Sequence, residues 1–97
     1  MIRHVVMFSV RRPEDAEAVH DGLCLLKANP HALTLEVGRN LATDPIPGAQ
    51  VDFVVYGEFA DESALQAFKT HPTYAASIAA VRPLRDLRVS ADFLSSH

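Results

Sequence analysis

The sequence predicts one α+β domain of β-α-β-β-α-β order, in which a four-stranded antiparallel sheet carries its helices on one face. Three observations lead there. Four β-rich segments recur, at 2–10, 33–41, 51–59 and 87–93. Helical stretches with proline-marked ends separate the first from the second and the third from the fourth. A chain of 97 residues is too short for two cores, since domains under about 100 residues rarely split, so residues 1–97 are read as a single domain.

Ile2 to Val10 is β-rich and has no breaker. Arg11-Arg12-Pro13 turns the chain, and Pro13 suits a first helical turn. Glu14, Asp15 and Glu17 follow, where the positive end of a helix dipole favours acids. Ala16, Val19, Leu23 and Leu26 form an amphipathic stripe at i, i+3, i+7 and i+10. The helix ends near Asn29-Pro30, because a residue before proline avoids the helical conformation. Leu33, Leu35 and Val37 then alternate with Thr34, Glu36 and Gly38, as in a half-buried strand.

Asp44-Pro45-Ile46-Pro47-Gly48 reads as a loop. In the third strand Val51, Phe53, Val55 and Phe59 oppose Asp52, Val54, Tyr56 and Glu58. Asp61 is a good N-cap for a helix carrying Ala64, Leu65 and Phe68, which His71-Pro72 breaks. A further turn or helix takes up Tyr74, Ile78 and Val81 until Arg82-Pro83. Leu87, Val89, Ala91 and Phe93 mark the last strand. Right-handed crossovers place both helices on the same sheet face.

The formal charge is −3 and no basic run occurs, so nucleic acid is not an expected partner. No apolar run approaches the roughly 20 residues that span a bilayer, so no membrane partner is expected either. Met1 to Val6 lacks the features of a signal peptide, and a single cysteine fits a reducing cytosol; a cytoplasmic location is expected. Cys24 reads as a buried, inert thiol with no histidine evident beside it.

The histidines at 4, 20, 31, 71 and 97 lack short ligand spacing, and His20 and Asp21 are read as not sharing a helix face; no metal is expected. The four glycines, 22, 38, 48 and 57, are too far apart for a phosphate loop, and no cofactor is expected. The terminal His97 reads as a loose chain end.

A sheet face that meets water should be polar. With Ile2, His4, Val6 and Phe8 toward the helices, the reverse side shows Val5, Met7, Val54, Tyr56 and Leu94. Glu36, Asp52, Glu58, Arg88 and Asp92 rim that patch. Such a surface suits a twofold partner, so a homodimer through the sheet face is expected.

Several segments together carry a family signal. They are Ile2-Arg3-His4-Val5-Val6-Met7-Phe8, Glu36-Val37-Gly38-Arg39-Asn40, Phe59 through Leu65 with Phe68, His71-Pro72, and Val89-Ser90-Ala91-Asp92-Phe93. In this order, over nearly the whole chain, they resemble the stress-responsive α/β-barrel (Dabb) domain family. The resemblance implies a ferredoxin-like fold whose two sheets meet across a dimer to form an α/β barrel. The family includes an enzyme type that closes a polyketide ring by aldol chemistry without a metal. It resembles this chain at His4 and His71-Pro72, but its catalytic histidine falls on Tyr74 and its partner tyrosine on Phe68. A phenol, titrating near about 10 in the ordinary case, is a poor general base at neutral pH, so that activity does not carry over.

The candidate chemistry centres on His4 and Tyr74, which could hold a carbonyl group and shuttle a proton. His4 reads more readily as a core histidine satisfied by a backbone carbonyl or by Tyr74 than as a pocket wall residue. Phe8, Phe68, His71 and Ile78 are the candidate ligand-binding residues, though His71 also suits a capping role at the helix break. Arg39 could bind a carboxylate or form a cross-strand or cross-dimer ion pair. Two functions stay open: a non-catalytic homodimer that binds a small apolar or aromatic ligand, and a cofactor-free enzyme, polyketide-cyclase-like or monooxygenase-like, working between helix and sheet. A cavity of about 300 Å³ or more, with His4 and Tyr74 both lining it, would favour a ligand or an enzyme, and a packed interior with His4 bonded only to backbone would favour an inert role.

Overall fold

The first nine-residue run of the chain becomes the strand β1 (Ile2–Val10), which sits inside the sheet. In the computed structural model, residues 1–44, 48 and 50–96 are described. Pro45, Ile46 and Pro47 of the expected loop and the chain end at His97 lie outside them. β2 spans Thr34–Arg39, β3 Phe53–Phe59 and β4 Arg85–Leu94. The sheet order is β2-β3-β1-β4 with every neighbouring pair antiparallel. The fold is ferredoxin-like α+β, as the sequence predicts.

Between β1 and β2 lies α1 (Ala16–Cys24), entered through a short 3-10 turn at Pro13–Asp15 and left through another at Leu25–Ala28. Its stripe residues Val19, Leu23 and Leu26 are buried. α2 (Glu62–Thr70) starts where the Asp61 carboxylate accepts a hydrogen bond from the Ala64 N–H at 2.9 Å. Pro72 then opens α3 (Pro72–Val81), so the proline marks a corner between two helices. Asn29, whose side chain is buried, donates Nδ2–H to the Phe68 carbonyl at 3.0 Å, which also accepts the His71 N–H at 3.3 Å where α2 ends.

The period of two sets the core. On β3 the burial strictly alternates, with Phe53, Val55, Gly57 and Phe59 inside. They pair with Phe8, Val6, His4 and Ile2 of β1 on the same face. Val19 and Phe59 have no accessible surface, and Leu65, Phe68 and Val81 complete the helix side of the core. Burying each such side chain contributes about 1.5–3 kcal/mol. α1 and α3 meet at Gly22, where an added Cβ would come within 2.8 Å of Val81 Cγ2.

One strand departs from the expectation. β4 pairs Met7 with Val89, Val5 with Ala91 and Arg3 with Phe93, so those residues lie on the face turned from the helices. Leu94, Asp92 and Arg88, read as belonging to the reverse face, pair with Ile2, His4 and Phe8 and lie on the helix side. The apolar alternation of β4 thus points to the bare face. The cause is that β4 is an edge strand, and its polar side borders the open rim of the helix layer.

A bulge also interrupts the ladder. Phe8 pairs with Arg88 but Val10 with Arg85, which leaves one extra residue in β4. The Ser9 hydroxyl accepts the Leu87 N–H at 2.9 Å and stitches the bulge to β1.

Candidate functional site: a cavity between α3 and the sheet

β1 presents His4, Val6 and Phe8 in a row on its helix face, and α3 presents Tyr74 and Ile78 at i and i+4. The two rows do not close fully. Between them lies a cavity of about 230 Å³, somewhat under the roughly 300 Å³ lower range of small-molecule sites. Of the residues singled out from sequence, His4, Phe8, Phe68, Tyr74 and Ile78 line it. His71 does not; its Nδ1 accepts the Thr73 N–H at 3.2 Å, capping α3, and its ring rests on that of His31 at 5.7 Å.

His4 is 3% exposed and its ring packs edge-on against Phe59 and Phe68, with centroids at 6.0 and 6.3 Å. Tyr74 packs against Phe68 at 5.6 Å. Phe68 therefore touches both rings, and the polar partner of His4 is neither Tyr74 nor a backbone carbonyl. It is Asp92, whose Oδ1 meets Nδ1 of His4. In a neutral imidazole, a carboxylate at Nδ1 selects the tautomer with the proton on that atom and leaves Nε2 as an acceptor. No local pattern announces this pair, because it depends on the β1–β4 register.

Three arginines complete the lining: Arg82 just past α3, and Arg85 and Arg88 on β4. Among the described residues, no Asp or Glu lines the cavity. The Arg88 guanidinium carbon lies 5.9 Å from the Phe8 ring centroid. The spacing R-x2-R-x2-R over 82–88, in a chain of net charge −3, was the available signal. It reads as ordinary strand decoration until the bulge brings Arg85 and Arg88 to one face.

Outside the cavity, Cys24 is half-buried and its Sγ lies 3.8 Å from Nε2 of His20, so a histidine does stand beside it. Glu17, His20 and Asp21 do share a helix surface, with ligand atoms within 4.8 Å of one another. Arg39 pairs with Glu17 at 2.9 Å, joining sheet to helix. That guanidinium holds the Glu17 carboxyl below its ordinary range.

On the bare sheet face, Val89 and Phe93 are 45% and 52% exposed, beside half-buried Val5, Val54 and Tyr56. At its edge the Tyr56 hydroxyl donates to Glu58 at 2.5 Å and accepts from Arg3 at 2.7 Å. The hydrogen bond to the Glu58 carboxylate, with some burial, raises the Tyr56 phenol above its ordinary value, against the opposing pull of Arg3. Among the described residues, no helix is long and apolar enough to cross a membrane.

A family model described as the Stress Responsive A/B Barrel Domain (Dabb) matches residues 2–95. Among solved structures, the chain is similar to a dimeric ferredoxin-like protein of unknown function from Thermobifida fusca, at 28% identity and a TM-score of 0.78, over 95% of this chain and 88% of that one. A Dabb family protein with a ferredoxin-like fold from Mesorhizobium loti matches at 23% identity and TM-score 0.79, over 99% and 97%. SnoaB, a cofactor-independent oxygenase from Streptomyces nogalater, shares the fold at 17% identity and TM-score 0.70, over 99% and 93%. No curated protein sequence matches the chain.

Proposed function

The chain belongs to the stress responsive A/B barrel domain family, and from that premise we propose that it works as a homodimer whose subunits each hold one small, largely apolar molecule between α3 and the sheet. The cavity carries this reading. Phe8, Phe68 and Ile78 supply its apolar wall, and His4 and Tyr74 supply a few fixed polar groups. A dry cavity of about 150 Å³ can admit a benzene-sized guest, so about 230 Å³ suits one substituted ring or a short ketide. The apolar sheet face, now including Val89 and Phe93, supports the dimer, as does the dimeric state of the Thermobifida relative. Residues 1–97 act as one domain in this reading, in a reducing cytosol.

The His4–Asp92 contact favours a second reading, a cofactor-free enzyme of the cyclase or oxygenase kind. In an aldol ring closure, Nε2 of His4 would take a proton from the carbon beside a carbonyl and return it to the alkoxide that forms. Asp92 would hold the ring in place while it does so.

A thermal-shift screen of small phenols and β-keto acids tests the cavity. Ligands should raise the melting temperature of the wild type, by less in His4→Ala and not at all in Ile78→Trp, whose indole fills the space. Stabilisation that is unchanged in both variants would put the ligand elsewhere. Turnover of a β-keto acid that disappears in His4→Ala would select the enzyme reading over simple binding.

A further inference from the structure

The two ends of the cavity differ in chemistry. Tyr74 and Ile78 of α3 and Arg82, its C-cap, recur at i, i+4 and i+8, spanning roughly 12 Å at 1.5 Å per residue. Across from them His4 and Phe8 stand roughly 13 Å apart along β1. His4, with Asp92 behind it, marks one end. Arg88 opposite Phe8, Arg85 opposite Val10 and Arg82 mark the other.

Resting on the cavity reading above, we propose that the ligand is a small apolar carboxylic acid, its carboxylate held by Arg82, Arg85 and Arg88 and its apolar body reaching toward His4.

Partner bookkeeping supports this. Acidic residues outnumber basic ones, 12 to 9. Arg3, Arg12 and Arg39 have each found a carboxylate, in Glu58, Glu14 and Glu17. Among the described residues, none of the three cavity arginines forms an ion pair. Three like charges gathered at one mouth repel one another, and an anion placed among them relieves that repulsion. A basic residue at the end of α3 would complement the helix dipole, but this accounts for Arg82 alone.

The bulge gives the arrangement its specificity. Residues three apart on a regular strand face opposite sides, yet Arg85 and Arg88 both line the cavity. The extra residue, pinned by Ser9, turns Arg85 back to the face of Arg88. The Arg88 guanidinium carbon lies over the Phe8 ring, 5.9 Å from its centroid, and the planar fork of a guanidinium suits a forked carboxylate contact. The ring of an aromatic acid bound there would lie against Phe8.

Calorimetric titration with matched pairs tests the inference: benzoate, 3-phenylpropionate and 3-oxohexanoate, each beside its neutral amide, with inorganic phosphate as a second anion. At least one acid should bind about tenfold or more tightly than its amide, the gain expected of hydrogen bonds to a charged group. Arg85→Met/Arg88→Met should erase that preference, bringing the affinity for the acid down to that for its amide. Equal binding of acid and amide would overturn the carboxylate assignment while leaving the cavity reading intact. A preference that survives the double substitution would remove it from these arginines. Phosphate binding as tightly as the best acid would overturn selectivity for a carboxylate. Absence of binding by every acid and amide would overturn both the cavity reading and this one.

Discussion

Asp92 stands directly across the β1–β4 ladder from His4, and its carboxylate meets the imidazole Nδ1. The histidine side chain is 4% exposed and the aspartate 39%, so a buried ring is tied to a carboxylate that still reaches water. This asymmetry sets the first expectation.

Removing the acceptor should cost more than changing it. Asp92→Ala leaves a buried ring N–H of His4 without its partner, a loss of about 1–3 kcal/mol in urea unfolding. Asp92→Asn keeps a side-chain oxygen to accept that N–H and should recover most of the loss. Equal stability of wild type and Asp92→Ala would mean that the pair does not order His4.

Static light scattering at micromolar concentration should give about twice the 10.6 kDa mass of the chain. Placing a charge on the bare sheet face, in Val89→Asp or Phe93→Asp, should return the mass to one chain without changing the far-UV spectrum. A wild-type mass near 10.6 kDa would refute the dimer.

Gly22→Ala tests how closely α1 and α3 pack. Alanine gains up to about 1 kcal/mol in helix propensity. Its Cβ, however, would lie 2.8 Å from Val81 Cγ2 and 3.0 Å from Ala80 Cβ, and overpacking of this kind costs about 1–3 kcal/mol. The Ser77 hydroxyl, which donates to the Gly22 carbonyl at 2.8 Å, holds the helices at that separation. The net expectation is a loss of about 1 kcal/mol, seen as a melting temperature lower by several degrees. A higher melting temperature would show that α3 can move away.

Of the two tyrosines, Tyr56 should titrate above its ordinary value when phenolate absorbance is followed with pH. Glu58→Gln should bring it back down, since the carboxylate hydrogen bond is the largest cause. The folded state binds this proton more tightly than the unfolded state does. The linked stability is therefore present below the ordinary tyrosine value and is lost as pH rises through the folded value. A Tyr56 titration that is the same in wild type and Glu58→Gln would sink the assignment.

Much of the fold was legible because it follows from local rules. Alternation at Phe53, Val55 and Phe59 named the inner face of β3, and the same rule turned His4 and Phe8 toward the helices. Asp61 announced α2, and Pro72 announced the corner before α3. The rule failed on β4, where the apolar residues Val89 and Phe93 turn away from the helices. The period of two says which residues share a face; only pairing says which face it is. Likewise, i, i+3 and i+4 spacing on α1 brings Glu17, His20 and Asp21 together despite the separation read for the last two.

Periodicity and turn chemistry act within a few residues of chain, so the order of elements, the core stripes and the inward placing of His4, Phe68, Tyr74 and Ile78 could be read from the amino acids alone. The meeting of Asp92 with His4, and of Arg82, Arg85 and Arg88 around the cavity, came from the folded arrangement. His4 meets Asp92 across the β1–β4 ladder, Arg82 comes from the end of α3, and a one-residue bulge beside Ser9 sets how Arg85 sits relative to Arg88. Strand register is fixed by packing and hydrogen bonding across the sheet, between residues that are distant along the chain.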